Sequence, residues 1–266
     1  MDRAWHNDSM TFVRPDDLGN EGFANGALYD RARPDYPVTA LNYFAEALGL
    51  HPRMSVVDLG AGTGIFSRQV RPYVGHVIAV EPSASMRDAL RAQSPDIEVR
   101  DGSDVDIPLA SASVDAVFVA QAFHWFDAPR ALREIHRVLT RAGGLGLIWN
   151  ERDESVAWVH ELSRAMQWDT RQPYEVGRDF RSVIAQGPFV DVDRAVFRHT
   201  QTLTHDDVYE RVLSTSYISV MDERSRDRLM EQVRRVVSTL EEPLELPYVT
   251  SVYSARAEVE PTVALG

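Results

Sequence analysis

The stretch VVDLGAGTGIF, residues 56–66, decides the predicted fold of this chain. An apolar run ends in Asp58, three glycines follow at alternate positions from 60 to 64, and a helical pattern begins at Ile65. Glycine lets a backbone turn sharply and approach a ligand closely, and α/β sheets bind ligands where a strand's carboxyl end leads into a helix. The stretch therefore predicts a strand, a ligand-binding turn and a helix.

A second acidic residue indicates a nucleoside ligand. Glu81 lies 21 residues after Gly60, at the end of the next apolar run, where a carboxylate can accept both ribose hydroxyls. A dinucleotide fingerprint, G-x-G-x-x-G, would need a third glycine where Ile65 stands. This spacing favours S-adenosylmethionine over NAD, and Asp58 could hold that cofactor's amino group but would repel a pyrophosphate. The alternatives are a turn without ligand and a nicotinamide-dependent oxidoreductase.

Apolar runs and helical patterns alternate through the middle of the chain, which is typical of a parallel sheet with helices on its faces. Strands are predicted at residues 54–58, 76–81, 97–100, 114–120 and 145–149, with helices at 65–73, 84–93 and 129–139. Two long strands are predicted at 189–202 and 246–255. The chain divides into an N-terminal lid and helix segment (1–48), a cofactor-binding core (49–150), a helical cap (151–188) and C-terminal strands and helices (189–266).

Composition narrows the possible chemistry. The 266 residues contain no cysteine and all 28 basic residues are arginine, which excludes thiolate metal sites, cysteine nucleophiles and Schiff-base lysines. The net charge of −12 argues against a nucleic-acid partner, and no apolar run approaches the roughly 20 residues of a membrane helix. Residues 1–6 are charged where a signal peptide is apolar, so a cytoplasmic location is expected. His199 and His205 have neither metal-ligand spacing nor neighbouring ligands, and no metal is expected.

Four stretches resemble the successive motifs of class I S-adenosylmethionine-dependent methyltransferases. They are VVDLGAGTGIFSRQV (56–70), VIAVEPSASM (77–86), GSDVDIPLASASVDAVFVAQAFHWFD (102–127) and GLGLIWN (144–150). More closely, YDRARPDYP (29–37) with AQAFHWFD (120–127) resembles the bacterial branch of trans-aconitate-type small-molecule methyltransferases. The resemblance implies a Rossmann-like seven-stranded, mostly parallel α/β sheet with helices on both faces, a reversed C-terminal hairpin and a helical cap insertion.

The resemblance also implies which residues contact the cofactor. They are Asp58, Gly60, Ala61, Gly62 and Gly64 at the methionine part, Glu81 at the ribose, Pro82 and Met86 on the adenine side, and Ser103 and Asp104 near the adenine amino group. The last two lie in GSDVDIP, which departs from the usual G-x-A-E-x-L/I-P motif. The adenine contacts therefore rest on a weaker match than the contacts of the glycine loop.

Residues near the expected methyl group supply the candidates for catalysis. Gln121 could bond the cofactor carboxylate, and His124 could take a proton from the acceptor, the alternative being a ring that only packs locally. Trp125 and Trp149 are expected in the substrate pocket. In the lid segment, residues 29–37, the residues predicted to close on the methionine carboxylate are Tyr29 and Arg33. The alternative for this segment is a rigid proline-bounded connector.

The predicted reaction is methyl transfer from S-adenosylmethionine, giving S-adenosylhomocysteine, to a small organic acceptor. Oxygen is favoured as the acceptor atom over nitrogen or carbon. Aligning a nucleophile with an already activated methyl donor supplies much of the rate, so the reaction needs little further catalysis. The alternative is a cofactor-binding protein of the same fold that does not transfer the methyl group, such as a cyclase, sensor or partner subunit. The sequence does not indicate an oligomeric state.

Overall fold

The computed structural model describes residues 30–167 and 179–259, whose strands form one seven-stranded sheet. The strands are β1 (Ser55–Leu59), β2 (His76–Val80), β3 (Glu98–Arg100), β4 (Val114–Ala120), β5 (Leu139–Arg152), β6 (Phe189–Leu203) and β7 (Leu244–Ala257). Their order is β3-β2-β1-β4-β5-β7-β6. Neighbours from β3 to β5 are parallel, whereas β7 is antiparallel to β5 and β6. The predicted mostly parallel sheet with a reversed C-terminal pair is confirmed.

Helices lie on both faces of this sheet. They are α1 (Val38–Leu48), α2 (Ile65–Val70), α3 (Ala84–Gln93), α4 (Ala128–Val138), α5 (Ala157–Ala165), α6 (Arg181–Ile184), α7 (His205–Leu213), α8 (Ser216–Ser219) and α9 (Glu223–Val237). The helix predicted at 65–73 ends in a 3-10 turn, Arg71–Tyr73, where Pro72 has no backbone N–H to donate. Within residues 30–167 and 179–259, no helix is long and apolar enough to cross a membrane.

The central strands are buried on both faces, as a parallel sheet between helices requires. Val57, Val117 and Leu145 face one core, which α4 covers with its buried residues. On the opposite face of the sheet, Phe118 of β4 packs in a second core with Phe66 of α2 and with the buried residues of α1. A third apolar cluster joins α5, α7 and α9 to the start of β7. We call these three helices the cap from here on. Only α5 falls within the predicted cap insertion (151–188), and it follows the carboxyl end of β5.

The fifth strand is longer than predicted, since it spans residues 139–152 rather than 145–149. Two adjacent glycines, Gly143 and Gly144, are typical of a turn. In the structure, however, Leu139 already pairs with Val114 of β4, and the pairing resumes between Gly144 and Ala116 after a register shift. A Cβ on Gly144 would lie 2.9 Å from the side chain of Leu48. Close packing against α1, rather than a chain reversal, therefore explains this glycine.

Candidate active site at the carboxyl edge of the sheet

The glycine loop between β1 and α2 is fixed to the end of β2. The amides of Gly60 and Ala61 donate to the carbonyl of Val80 at 2.8 and 3.2 Å. The amide of Gly62 donates to the Glu81 carboxylate at 2.9 Å. The loop lies where the strand order reverses between β1 and β4, which is the position where doubly wound sheets bind ligands. The predicted loop and its predicted acidic partner are therefore brought together.

The three glycines of the loop serve different purposes. All have positive φ, at 72° for Gly60, 56° for Gly62 and 85° for Gly64. A Cβ on Gly60 would lie 2.8 Å from Ala122, and one on Gly64 would lie 2.8 Å from Leu90, so both are required by packing. A Cβ on Gly62 would meet no atom of the described residues within 4 Å. Gly62 therefore faces open space, as a residue beside a bound ligand would.

Asp58 is the second-last residue of β1, just before the loop, and is completely buried. Its Oδ2 accepts the Ser67 hydroxyl at 2.6 Å, whereas Oδ1 has no hydrogen-bond partner among the described residues. Burial raises the pKa of the Asp58 carboxyl to about 7, and the nearby charge of Glu81 adds to the rise. A buried acceptor atom without a donor is suited to a positively charged group such as an amine.

Glu81, immediately after β2, has both carboxylate oxygens bonded to the backbone. Oε2 accepts the Gly62 amide and Oε1 accepts the Ser83 amide, each at 2.9 Å. Burial raises the pKa of the Glu81 carboxyl, while these amide bonds oppose the rise. Each oxygen can accept a further hydrogen bond, so the carboxylate is held in position to receive two hydroxyl donors.

Replacing Asp58 with asparagine should stabilise the ligand-free protein at alkaline pH. A carboxyl whose pKa is raised in the folded state destabilises folding progressively from about pH 4, and the full cost is reached above about pH 7. Asp58→Asn should therefore raise the free energy of unfolding by about 2–4 kcal/mol at pH 8 and leave it little changed at pH 4. Urea unfolding at both pH values measures this difference. A variant less stable than wild type at pH 8 would contradict the assignment.

The residues predicted on the adenine side differ in their placement. Met86 lies on the buried side of α3, whereas Pro82 is exposed. Ser103 forms an isolated bridge with Asp106. Asp104 Oδ2 accepts the Asp127 amide at 3.1 Å, at the start of α4. The structure thus gives Asp104 a role in holding the start of α4, and its adenine contact stays a prediction.

Gln121 follows β4 and links it to the end of β5. It has a positive φ of 56°, which is strained for a residue other than glycine. Its Nε2 donates to the Asn150 carbonyl at 3.0 Å. Asn150 in turn donates to the Asp35 carbonyl at 3.1 Å and accepts the Thr250 hydroxyl at 2.7 Å. The segment after β4, the lid segment and β7 are therefore connected through one buried residue, Asn150, whose backbone carbonyl bonds Gln121 and whose side-chain amide bonds Asp35 and Thr250.

His124 lies in the 3-10 turn after Gln121 and is 8% exposed. Trp149 Nε1 donates to His124 Nδ1 at 3.3 Å, which places the proton of a neutral ring on Nε2. The Trp125 ring lies 4.9 Å from the His124 ring. Trp149 itself stacks on Phe180 at 4.3 Å and is 5% exposed. His124 and Trp125 lie together at the sheet edge, and Trp149 is mainly a core residue.

The lid segment, described from Asp30 onward, is attached to the glycine loop and α2. Thr63 Oγ1 donates to the Asp30 carboxylate at 2.8 Å, and Arg68 pairs with the same carboxylate at 2.6 Å. Gln69 bonds the amide and the carbonyl of Tyr36, at 2.9 and 3.0 Å. These contacts hold the segment beside the loop that is predicted to bind the cofactor.

The two lid residues predicted to contact the cofactor are placed differently. Tyr29 lies outside the described residues. Arg33 Nη2 donates to the Ser214 carbonyl at 2.9 Å, directly after α7. Arg33 therefore joins the lid segment to the cap, and its contact with the methionine carboxylate stays a prediction.

Comparison with known proteins assigns the chain to a family. A family model described as a methyltransferase domain matches residues 57–147, which hold the glycine loop, Glu81 and Gln121. An uncharacterized methyltransferase of Mycobacterium tuberculosis is 38% identical over 247 residues, covering 91% of this chain and 97% of that protein. The chain belongs to the methyltransferase family. The prediction of a methyltransferase enzyme is confirmed, and the comparisons give no support to the nicotinamide-dependent alternative.

Two further relatives and one solved structure extend the comparison of this methyltransferase. An uncharacterized methyltransferase-like protein of Schizosaccharomyces pombe is 30% identical, covering 87% of this chain and 93% of that protein. A malonyl-(acyl-carrier protein) O-methyltransferase of Pectobacterium atrosepticum is 37% identical over 118 residues, 44% of this chain and 45% of that protein. The solved structure is that of a proposed type II methyltransferase from Anaeromyxobacter dehalogenans. It is 22% identical with a TM-score of 0.62, and the match covers 86% of this chain and 99% of that one, which shows the shared fold.

The sequence analysis missed Asn150, which joins Gln121 to the lid segment, and two arginines that pack against the helices of the cap. Asn150 ends the apolar run GLGLIWN, and a polar residue at a strand's carboxyl end was the available signal. Its contact with Asp35 spans 115 positions and leaves no local trace. Arg152 at the end of β5 and Arg211 on the buried side of α7 were also missed, because arginine is ordinarily expected on the surface.

Proposed function

We propose that this methyltransferase binds S-adenosylmethionine over the glycine loop and transfers its methyl group to a small organic acceptor, with oxygen as the favoured atom. The observation that carries the proposal is the pair of buried carboxylates beside the loop. Glu81 is fixed by two backbone amides, and Asp58 has one oxygen without a donor. The resemblance in the loop motif and membership of the family support the same cofactor.

The residues present fit the chemical groups of this cofactor. The Glu81 carboxylate would accept the two ribose hydroxyls, and the unpartnered oxygen of Asp58 would accept the ammonium group, directly or through water. Open space at Gly62 leaves room for the part of the cofactor that joins the ribose to the methionine ammonium group. Met86 and Asp104 remain the proposed residues on the adenine side, and Gln121 the proposed partner of the carboxylate.

When bound, the cofactor supplies a sulfonium-activated methyl group, so the protein's main task is to align the acceptor with it. Gln121 and His124 follow β4, at the end of the sheet where the acceptor would approach. While Trp149 donates to His124 Nδ1, the neutral ring presents an N–H at Nε2 and would orient an acceptor oxygen. As a base, His124 would have to give up this bond. The oxygen acceptor is supported by the relative named as an O-methyltransferase.

A matched pair of glycine substitutions tests where the cofactor binds. Gly62 and Gly49 both have positive φ, at 56° and 63°, and a Cβ at either position meets no described atom within 4 Å. Only Gly62 lies in the loop, because Gly49 caps the end of α1. Gly62→Arg should lower the affinity for S-adenosylhomocysteine by about 100-fold or more. Gly49→Arg should leave this affinity unchanged. Calorimetric titration measures the affinity of both variants. Equal affinities in the two variants would place the cofactor elsewhere.

Methyl transfer itself is tested with methyl-labelled cofactor. Wild-type protein should transfer label to members of a panel of small organic acids and alcohols, and mass spectrometry of the product identifies the methylated atom. Replacing His124 with alanine, which has no side-chain N–H to orient the acceptor oxygen, should slow turnover by about 10-fold on a hydroxyl acceptor without changing cofactor affinity. Tight cofactor binding without transfer to any acceptor would instead favour a sensor or partner subunit.

A further inference from the structure

The second half of the glycine loop is held by the lid segment and by α2. The first half is bonded to the end of β2 through three backbone amides. Thr63 comes next in the loop and is 1% exposed. Its hydroxyl donates to the Asp30 carboxylate at 2.8 Å, and its carbonyl accepts Arg68 Nη1 at 2.9 Å. Thr63 is therefore bonded through both its side chain and its backbone.

Asp30 and Arg68 form a partly buried ion pair. Their side chains are 19% and 31% exposed, and Arg68 Nη2 lies 2.6 Å from Asp30 Oδ1. The Gln93 amide at the end of α3, with its nitrogen facing Asp30, donates to the same carboxylate at 2.6 Å. Arg68 Nη1 also donates to the Ser94 hydroxyl at 3.4 Å. One ion pair thus joins the lid segment, the glycine loop, α2 and the end of α3.

The glycine loop depends on such bonds because its own backbone is weakly restrained. Gly62 and Gly64, which flank Thr63, both have positive φ, and glycine loses more conformational freedom on ordering than any other residue. A loop that is ordered before its ligand binds loses less entropy on binding. Bonds to two groups of Thr63 therefore favour the loop conformation that the structure shows.

A second set of bonds holds the other end of the lid segment. Gln69 of α2 bonds both backbone groups of Tyr36, at 2.9 and 3.0 Å. Asn150 Nδ2 donates to the Asp35 carbonyl at 3.1 Å, which joins the segment to the end of β5. Separation of the ion pair would therefore free the Asp30 end of the segment while its Tyr36 end stays attached.

We propose that Asp30 and Arg68 are positioning residues for the cofactor. They hold Thr63, and with it the second half of the glycine loop, in the conformation that binds the cofactor, and they separate when S-adenosylhomocysteine leaves. This rests on the proposed function, because the bound molecule is the cofactor of that site. Neither residue needs to touch the cofactor, since both act through Thr63. Opening of the lid segment and release of the product are thereby coupled.

The rate of product release tests this role. Labelled S-adenosylhomocysteine is bound to the protein, and its release is followed after an excess of unlabelled ligand is added. Asp30→Ala and Arg68→Met should each raise the dissociation rate constant by about 10- to 100-fold, the factor expected for losing a hydrogen bond to a charged group. The association rate constant should change by less than about threefold.

Two substitutions of Thr63 separate hydrogen bonding from packing. Thr63→Val removes the hydroxyl that Asp30 accepts and keeps the volume, whereas Thr63→Ser keeps the hydroxyl and removes a buried methyl group. Valine should raise the dissociation rate constant by about 10-fold, and serine should leave it within about threefold of wild type. A residue that only packs would give the opposite order, because serine leaves a cavity.

Glu134→Ala is the matched control for Asp30→Ala. Glu134 pairs with Arg137 at 2.7 Å, and the two side chains are 16% and 36% exposed, close to the values for the proposed pair. It lies on α4, outside the glycine loop. Glu134→Ala should leave the dissociation rate constant unchanged.

Hydrogen exchange of the ligand-free protein gives an independent readout of the loop. The amide of Gly64 donates to the Ala61 carbonyl at 2.9 Å within the loop. Its exchange should be about 10-fold faster in Asp30→Ala than in wild type, because the loop opens more often when Thr63 is released. Glu134→Ala should exchange this amide at the wild-type rate.

Release from Asp30→Ala at the wild-type rate would overturn the proposal. Equal acceleration by Thr63→Ser and Thr63→Val, or by Asp30→Ala and Glu134→Ala, would overturn it as well. Should Asp30→Ala fail to fold, Asp30→Asn replaces it, which removes the charge and keeps one oxygen for Thr63. Failure of wild type to bind S-adenosylhomocysteine would remove the proposed function and the release step, and faster Gly64 exchange in Asp30→Ala would still show that the pair holds the loop.

Discussion

Replacing Glu81 with alanine is expected to reduce the affinity for S-adenosylhomocysteine by about 100- to 1000-fold. Two hydrogen bonds from ribose hydroxyls to a carboxylate contribute roughly 3–5 kcal/mol together. The substitution also leaves the amides of Gly62 and Ser83 without their acceptor, so the loop loses its attachment to β2. Calorimetric titration of wild type and variant at the same pH measures the ratio.

The control for this substitution is Glu134→Ala. Glu134 also accepts a backbone amide, that of Ile107 at 2.8 Å, and pairs with Arg137 on α4. It shares the chemistry of Glu81 but lies outside the glycine loop. Glu134→Ala should bind S-adenosylhomocysteine as wild type does. If both variants lose affinity equally, the effect comes from general destabilisation and Glu81 has no special part in binding.

The second large expected effect is the loss of folding stability when Trp149 is replaced. Trp149→Ala should lower the free energy of unfolding by about 3–5 kcal/mol, and the melting temperature by about 10 °C. Trp149 is 5% exposed, stacks on Phe180 at 4.3 Å, and meets the Tyr253 ring edge-on at 5.9 Å. Removing the indole leaves a cavity that these two rings cannot fill without moving. Thermal and denaturant unfolding measure the loss.

Trp149→Phe separates the packing of this residue from its hydrogen bond. Phenylalanine retains much of the stacking on Phe180 but cannot donate to His124 Nδ1. It should cost about 1–2 kcal/mol, well below the alanine variant. If alanine costs no more than phenylalanine, Trp149 is not the core residue that its burial indicates, and the predicted substrate-pocket role becomes the better account.

The core of the fold could be predicted from sequence because its signals are local. The apolar runs before Asp58 and Glu81 lie in the strands β1 and β2, which end within two residues of these runs, and the helical spacing after Gly64 begins at a helix. Parallel strands then bring their carboxyl ends to one edge, which places Glu81 beside Gly62. The same local signals misjudged β5, because Gly144 is required by packing against Leu48 on a distant helix.

The burial of residues in the cap could not be predicted in the same way. In α7 the buried residues Val208 and Val212 have helical spacing, and Arg211 between them lies at the border of the same face, where arginine is ordinarily expected in solvent. Its burial depends on how α5, α7 and α9 pack together. The Asn150 contact with Asp35 likewise joins residues 115 positions apart. Such tertiary contacts leave no periodic signal in the sequence.

Titration of the purified wild-type protein with S-adenosylhomocysteine tests the central claim most directly. The account predicts saturable binding in the micromolar range, with about one ligand per chain, which Glu81→Ala and Gly62→Arg both weaken and Glu134→Ala does not. Well-folded wild-type protein that releases no heat of binding, and whose melting temperature does not change with the ligand, would contradict the account.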